Sequence, residues 1–134
     1  MAGTAKIVLL IDDDADIHEV VKMILEPKGF QVECALTGPA GLEAARRLMP
    51  DVLLLDIMLD TPSEGLHIAY TLKNDDVLQK IPIVIISSIG KKMGIDYAKE
   101  LGTEYVPASQ FIEKPFNTET LLNAVNQAMA GVKK

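Results

Sequence analysis

At 134 residues with 49% of them hydrophobic, the chain is sized and composed for one globular domain rather than a disordered segment. A formal net charge of −6 argues against a nucleic-acid surface, which needs clustered Lys and Arg. The lone cysteine, Cys34, excludes a disulfide framework, suits a reducing compartment and reads as a small buried hydrophobe.

Residues 7–11 are apolar but too few for a signal-peptide core or a membrane span, so the expected location is cytoplasmic. This first run, 6–11, reads as a strand that ends on Asp12, Asp13 and Asp14. Ile17, Val20, Val21, Ile24 and Leu25 then recur at helical spacing, with Asp14 as cap and Pro27 and Gly29 as stop. Residues 31–35 read as a second strand. Thr37 caps a helix with Leu42, Ala45 and Leu48 on one face. Residues 52–55 are a continuous apolar strand of the kind buried in parallel sheets, and it ends on Asp56. A polar loop at 60–64 leads into a helix over about 66–74. Pro82 introduces a strand at 83–86 that ends on Ser87 and Ser88. A helix over about 92–101 stops at Gly102, and a short strand at 111–113 ends on Lys114 and Pro115. Asn117 caps a last helix with Leu121, Val125 and Met129 facing inward.

Strands alternating with helices in this way predict an α/β fold: a doubly wound, five-stranded parallel sheet with helices on both faces. One domain over 1–134 is expected, with its core at about 6–130. In such sheets ligands bind beyond the carboxyl ends of the strands. Four of the five predicted strands deliver a polar or charged group there: Asp12 with Asp13, Asp56, Ser87 and Lys114. Three carboxylates brought to one edge repel one another unless a cation neutralises them. An oxygen-only cluster suits Mg²⁺, which takes one or two carboxylates and keeps several waters. A metal so held can bridge to a phosphate oxygen while an amine and a hydroxyl hold the others. Asp56 stands alone on its strand, which makes it the natural nucleophile, with Asp12 and Asp13 as the metal-binding pair. Taken singly, each residue has a plainer reading: a helix cap for an Asp (accepted for Asp14), a backbone-bonded hydroxyl for Ser87, a solvated charge for Lys114. Their convergence favours the chemical one. His18 and His67 have no partner at metal-ligand spacing and read as surface residues.

The chain resembles the receiver domain of bacterial two-component response regulators over about residues 6–130. The resemblance rests on Ile11-Asp12-Asp13-Asp14, on residues 50–58 around Asp56, on Pro82 through Ser88, and on Phe111-Ile112-Glu113-Lys114-Pro115-Phe116. It implies a flavodoxin-like strand order 2-1-3-4-5 and phosphorylation of Asp56 by a sensor histidine kinase or phosphotransfer protein. It implies Mg²⁺ ligation by Asp13, Asp56 and the Met58 carbonyl, with Asp12 as the partner acid. Ser87 matches the hydroxyl that swings toward the phosphoryl group, and Ser88 the small residue beside it. Phe111 matches the switch aromatic, Lys114 the lysine that pairs with a phosphoryl oxygen, and Pro115 the expected cis-proline. The chain departs from the pattern in a longer loop at 60–64 and an insertion at 103–110. A downstream protein is expected on the face of the 92–101 helix, the fifth strand and the last helix, with 103–110 a further contact; neither nucleic acid nor membrane is expected. Met58 and Ile89, two past Asp56 and two past Ser87, are apolar where family members with short-lived phosphates carry polar side chains. Slow loss of the phosphoryl group to water follows. The expected role is a switch rather than a turnover enzyme. A Mg²⁺-dependent phosphohydrolase would want an acid where Met58 stands, and a scaffold without chemistry would not need all of these residues. Only four residues follow the last predicted helix, so the chain reads as a stand-alone receiver or as the receiver of a longer regulator.

Overall fold

The computed structural model describes residues 6–56, 62–87, 110–113 and 116–130. Strands β1 (Lys6–Ile11), β2 (Phe30–Ala35), β3 (Val52–Asp56), β4 (Ile83–Ser87) and β5 (Gln110–Glu113) are joined by helices α1 (Ala15–Leu25), α2 (Gly38–Leu48) and α3 (Pro62–Asn74), and α4 (Thr118–Ala130) follows β5. All pairings are parallel, and the order runs β2-β1-β3-β4, with β5 alongside β4. The 92–101 helix and the loop at 103–109 lie outside the described residues; Gln110 begins β5.

Each central strand feeds two cores at once. In β1, Leu9 and Ile11 join a cluster with Ala44 and Ala45 of α2 and Ile68 and Leu72 of α3. Val8 and Leu10, one residue out of phase, join Val21 and Leu25 of α1 and Leu121 and Val125 of α4. Side chains alternate across a strand, so a strand covered on both faces must be apolar at every position. That is why Val52–Leu55 reads as an unbroken run, and all four residues are fully buried. Each such side chain contributes roughly 1.5–3 kcal/mol by leaving water. Helix α2 lies so close to the sheet that a Cβ on Gly41 would collide with the Ile11 side chain. Any larger residue at 41 would force the buried Ile11 side chain to shift.

The caps follow the sequence. Asp14 Oδ1 accepts from Asp16 N, Thr37 Oγ1 from Ala40 N, and Asn117 Oδ1 from Thr120 N, at 2.9, 3.2 and 2.8 Å. Three expectations are corrected. Helix α3 starts at Pro62, inside the stretch expected to be a loop; proline lacks the N–H that a helix's first turn leaves unused, and its fixed φ suits that position. The buried stripe of α1 is His18, Val21 and Leu25, while Val20 is 39% exposed. Cys34 is half-buried on β2, and burial pushes its thiol above the usual range, with Lys22 pulling the other way.

Candidate functional site

The register sets the site. Ile11 pairs with Leu55 across β1 and β3, so the next residues, Asp12 and Asp56, stand level at the carboxyl edge. Asp12 N donates to Ala35 O at 3.1 Å, carrying the β1–β2 ladder one residue past the strand. The chain then turns: Asp12 Oδ1 accepts from Asp14 N at 2.9 Å, and Asp14 caps α1. Asp13 is swung into solvent by that turn. One carboxylate oxygen from each of Asp12, Asp13 and Asp56 lies within 4.8 Å of the others. Asp12 and Asp56 are buried, at 0% and 3% exposure, and Asp13 is exposed.

Two like charges about 5 Å apart at the edge of a protein repel by roughly 3 kcal/mol at an effective dielectric constant near 20. Three such carboxylates, two of them shielded from water, are costly unless protons or a cation offset the charge. The donors are all oxygen, and the exposed member leaves a way in. That donor chemistry fits Mg²⁺, which retains waters on the side the protein leaves open. Away from this site, Arg46 pairs with Asp75 and Arg47 with Glu43 on the α2 side of the molecule.

Ser87 ends β4 and pairs with Glu113, and Asp56 pairs with Ile86, so the backbone of Ser87 reaches the same edge. Phe111 pairs with Ile85 one layer below. Met58, Ser88, Ile89, Lys114 and Pro115 lie outside the described residues. His67 is exposed as expected, but His18 is not. It is 8% exposed, and its Nε2 lies 2.6 Å from the main-chain oxygen of Asp12. The signal for this was in the chain: His18, Val21 and Leu25 keep the i, i+3, i+7 spacing of an inward face.

These features define a doubly wound α/β domain with an acidic site at the carboxyl edge of its sheet. The family model for the response regulator receiver domain matches residues 8–126, and the chain belongs to that family, the receivers of two-component systems. Protein PilH of Pseudomonas aeruginosa is 30% identical over 127 residues, which cover 95% of this chain and 99% of PilH. The DNA-binding dual master transcriptional regulator RpaA of Synechocystis is 30% identical over 118 residues, 88% of this chain. The chain spans about half of that regulator, 46% of its length. Among solved structures, a response regulator receiver domain protein from Clostridium thermocellum superposes with a TM-score of 0.80 at 25% identity, covering 96% of this chain and 97% of that one. Among the described residues, no helix is long and apolar enough to cross a membrane.

Proposed function

We propose that this receiver takes a phosphoryl group on a carboxylate oxygen of Asp56, with Mg²⁺ held by Asp12, Asp13 and Asp56. The observation that carries the reading is the convergence of three carboxylates within 4.8 Å at the end of β1 and β3, two of them buried. When bound, Mg²⁺ supplies positive charge against the carboxylates and the phosphoryl oxygens. Asp56 contributes the attacking oxygen: its lone pair forms the new O–P bond as the P–N bond to a donor imidazole breaks, and the departing nitrogen keeps that electron pair. The donor is a phosphohistidine of a sensor histidine kinase or phosphotransfer protein. Asp56 ends a strand whose other residues are locked in the core, so the nucleophile is positioned by the sheet and does little searching.

The family resemblance supports the remaining roles. The Met58 carbonyl completes the metal set, Lys114 pairs with a phosphoryl oxygen, and Ser87 and Phe111 move inward together, biasing a two-state surface. A downstream protein then docks on β5, α4 and the 92–110 segment. The module is a cytoplasmic switch with slow self-dephosphorylation, not a turnover enzyme, and it contacts no nucleic acid through this domain.

The test is phosphoryl uptake from acetyl phosphate in MgCl₂, read by intact mass. Asp56→Asn should take up nothing, because an amide is a very poor nucleophile. Asp51→Asn, at the opposite edge of the sheet, should label as the wild type does. Uptake by Asp56→Asn at the wild-type rate would overturn the assignment.

A further inference from the structure

The buried stripe of α1 is His18, Val21 and Leu25, and His18 is its polar member, at the end nearest the acidic cluster. A leucine there would complete the stripe without desolvating an imidazole, a polar ring that is unfavourable to bury without a partner. Packing alone gives no reason for histidine. The reason lies in its contact. Nε2 sits 2.6 Å from the Asp12 carbonyl oxygen, and since a carbonyl only accepts, the hydrogen is on Nε2.

Asp12 is thereby gripped from three sides: its N–H by Ala35 O of β2, its Oδ1 by Asp14 N at the α1 cap, and its carbonyl by His18 from within α1. The first is a main-chain ladder bond and the second a carboxylate taking a main-chain donor, contacts that any acidic residue before a capped helix can make. The third depends on one side chain, and it ties the first turn of α1 to the strand end that carries the buried carboxylate. We infer that His18 is a positioning residue for the cation site, its Nε2–H···O=C bond to Asp12 holding the Asp12 carboxylate at the spacing a divalent cation requires. This rests on the Mg²⁺ reading of the cluster. His18 does not touch the metal; it acts through Asp12, as outer partners of metal ligands do, and loss of such partners weakens metal affinity by roughly ten- to a hundredfold.

The experiment titrates MgCl₂ into unphosphorylated protein at one fixed pH. The chain has no tryptophan, so binding is followed by backbone amide shifts or by calorimetry. His18→Met and His18→Gln are compared, because the two side chains have nearly the same length and Gln alone offers an N–H in place of Nε2. His18→Met should raise the Mg²⁺ Kd by roughly tenfold, with the thermal midpoint in EDTA little changed, and His18→Gln should restore most of the affinity. Should His18→Met fail to fold, His18→Leu, which keeps the stripe apolar, takes its place. Wild-type affinity in the donor-free variant overturns the inference and leaves the Mg²⁺ reading intact. Equal losses in the Gln and donor-free variants also overturn it, since ring packing and not the bond would then be responsible. A wild type that binds no Mg²⁺ removes the cation reading, and this inference with it.

Discussion

β1 and β3 run side by side and carry carboxylates at both ends, and the two ends treat them differently. At the amino end, Asp51 Oδ2 accepts from Ile7 N at 2.8 Å while Ile7 O accepts from Asp51 N at 2.8 Å. One carboxylate finds a main-chain donor on the neighbouring strand, and the pair of bonds pins β1 against β3. At the carboxyl end, Asp12, Asp13 and Asp56 approach within 4.8 Å of one another. A carboxylate bonded to a backbone N–H is a structural element that stabilises the fold in its charged form. At the carboxyl end Asp12 has such a bond too, from Asp14 N, but three carboxylates brought together also repel one another, and a bound cation would offset that repulsion. The same residue type therefore does opposite work at opposite edges of the same two strands.

The comparison sharpens most if the carboxyl end also controls how long a phosphoryl group stays. Water must arrive in line with the bond between phosphorus and the Asp56 oxygen. Met58 and Ile89, two residues past Asp56 and two past Ser87, have no group that orients water. Losing one well-placed water orientation is worth about 1–3 kcal/mol, roughly tenfold to a hundredfold in rate. Purified phosphoprotein in Mg²⁺, with the donor removed, should release phosphate slowly. The Met58→Asn, Ile89→Glu double variant should release it faster by about that factor, whereas Asp51→Asn should change nothing. A wild-type half-life of seconds, not shortened in the double variant, would show that these two side chains do not gate the water.

A smaller effect separates the two ends by stability. Asp51→Ala strands the Ile7 N–H and should destabilise the fold by about 1–3 kcal/mol, with or without Mg²⁺. Asp56→Asn removes one of the repelling charges and should stabilise the metal-free protein by on the order of 1 kcal/mol. In Mg²⁺ that advantage should shrink or reverse, because the wild type then gains from binding what the variant binds less well. Thermal unfolding in EDTA and in MgCl₂ reads both. If Asp56→Asn lowered the midpoint in EDTA, the cluster would be held by bonds stronger than its repulsion, and the contrast between the edges would fail.

Much of this contrast could be read before any coordinates. Val52–Leu55 declared itself as a two-sided buried strand because every residue in it is apolar, and a parallel sheet delivers the residue after each strand to one edge. Asp12 and Asp56 were therefore placed together by topology alone. His18 is hidden from a pattern read among apolar residues alone, because an imidazole counts as polar by composition even where, as here, its spacing with Val21 and Leu25 is that of an inward face. Pro62 reads equally as loop or helix start, because proline and polar neighbours mark turns and helix starts alike, and only the tertiary context chooses between them. The half-burial of Cys34 reflects β2 lying at the edge of the sheet, which strand order decides and a single strand's sequence does not.

The gentlest test of the comparison uses a further carboxylate, away from both edges. Asp75 follows α3, and its Oδ1 accepts from Val77 N at 2.8 Å and from Leu78 N at 3.0 Å. Its Oδ2 lies 3.3 Å from Arg46 Nη2 of α2. The Leu78 N–H and then the Val77 N–H hold the Asp75 carboxyl below its usual range; desolvation pushes back less strongly than these two bonds, and the Arg46 charge adds the smallest share of the lowering. A carboxyl whose pKa is lower folded than unfolded favours the folded state once it is ionised. Its contribution is complete above the ordinary carboxylate value of about 4, and it is lost as the pH falls through the lower folded value. Asp75→Asn keeps an acceptor oxygen but never ionises. The wild type should therefore exceed this variant in unfolding midpoint at neutral pH, hold that margin down to about pH 5, and lose it through the acid range below. The margin should be modest, because the site is solvated and the ion pair with Arg46 is screened. If the margin instead stayed constant into strong acid, ionisation of Asp75 would carry no weight in the folded state. The rule that main-chain donors make a carboxylate stabilising would then have to rest on Asp51 and on the capping Asp14.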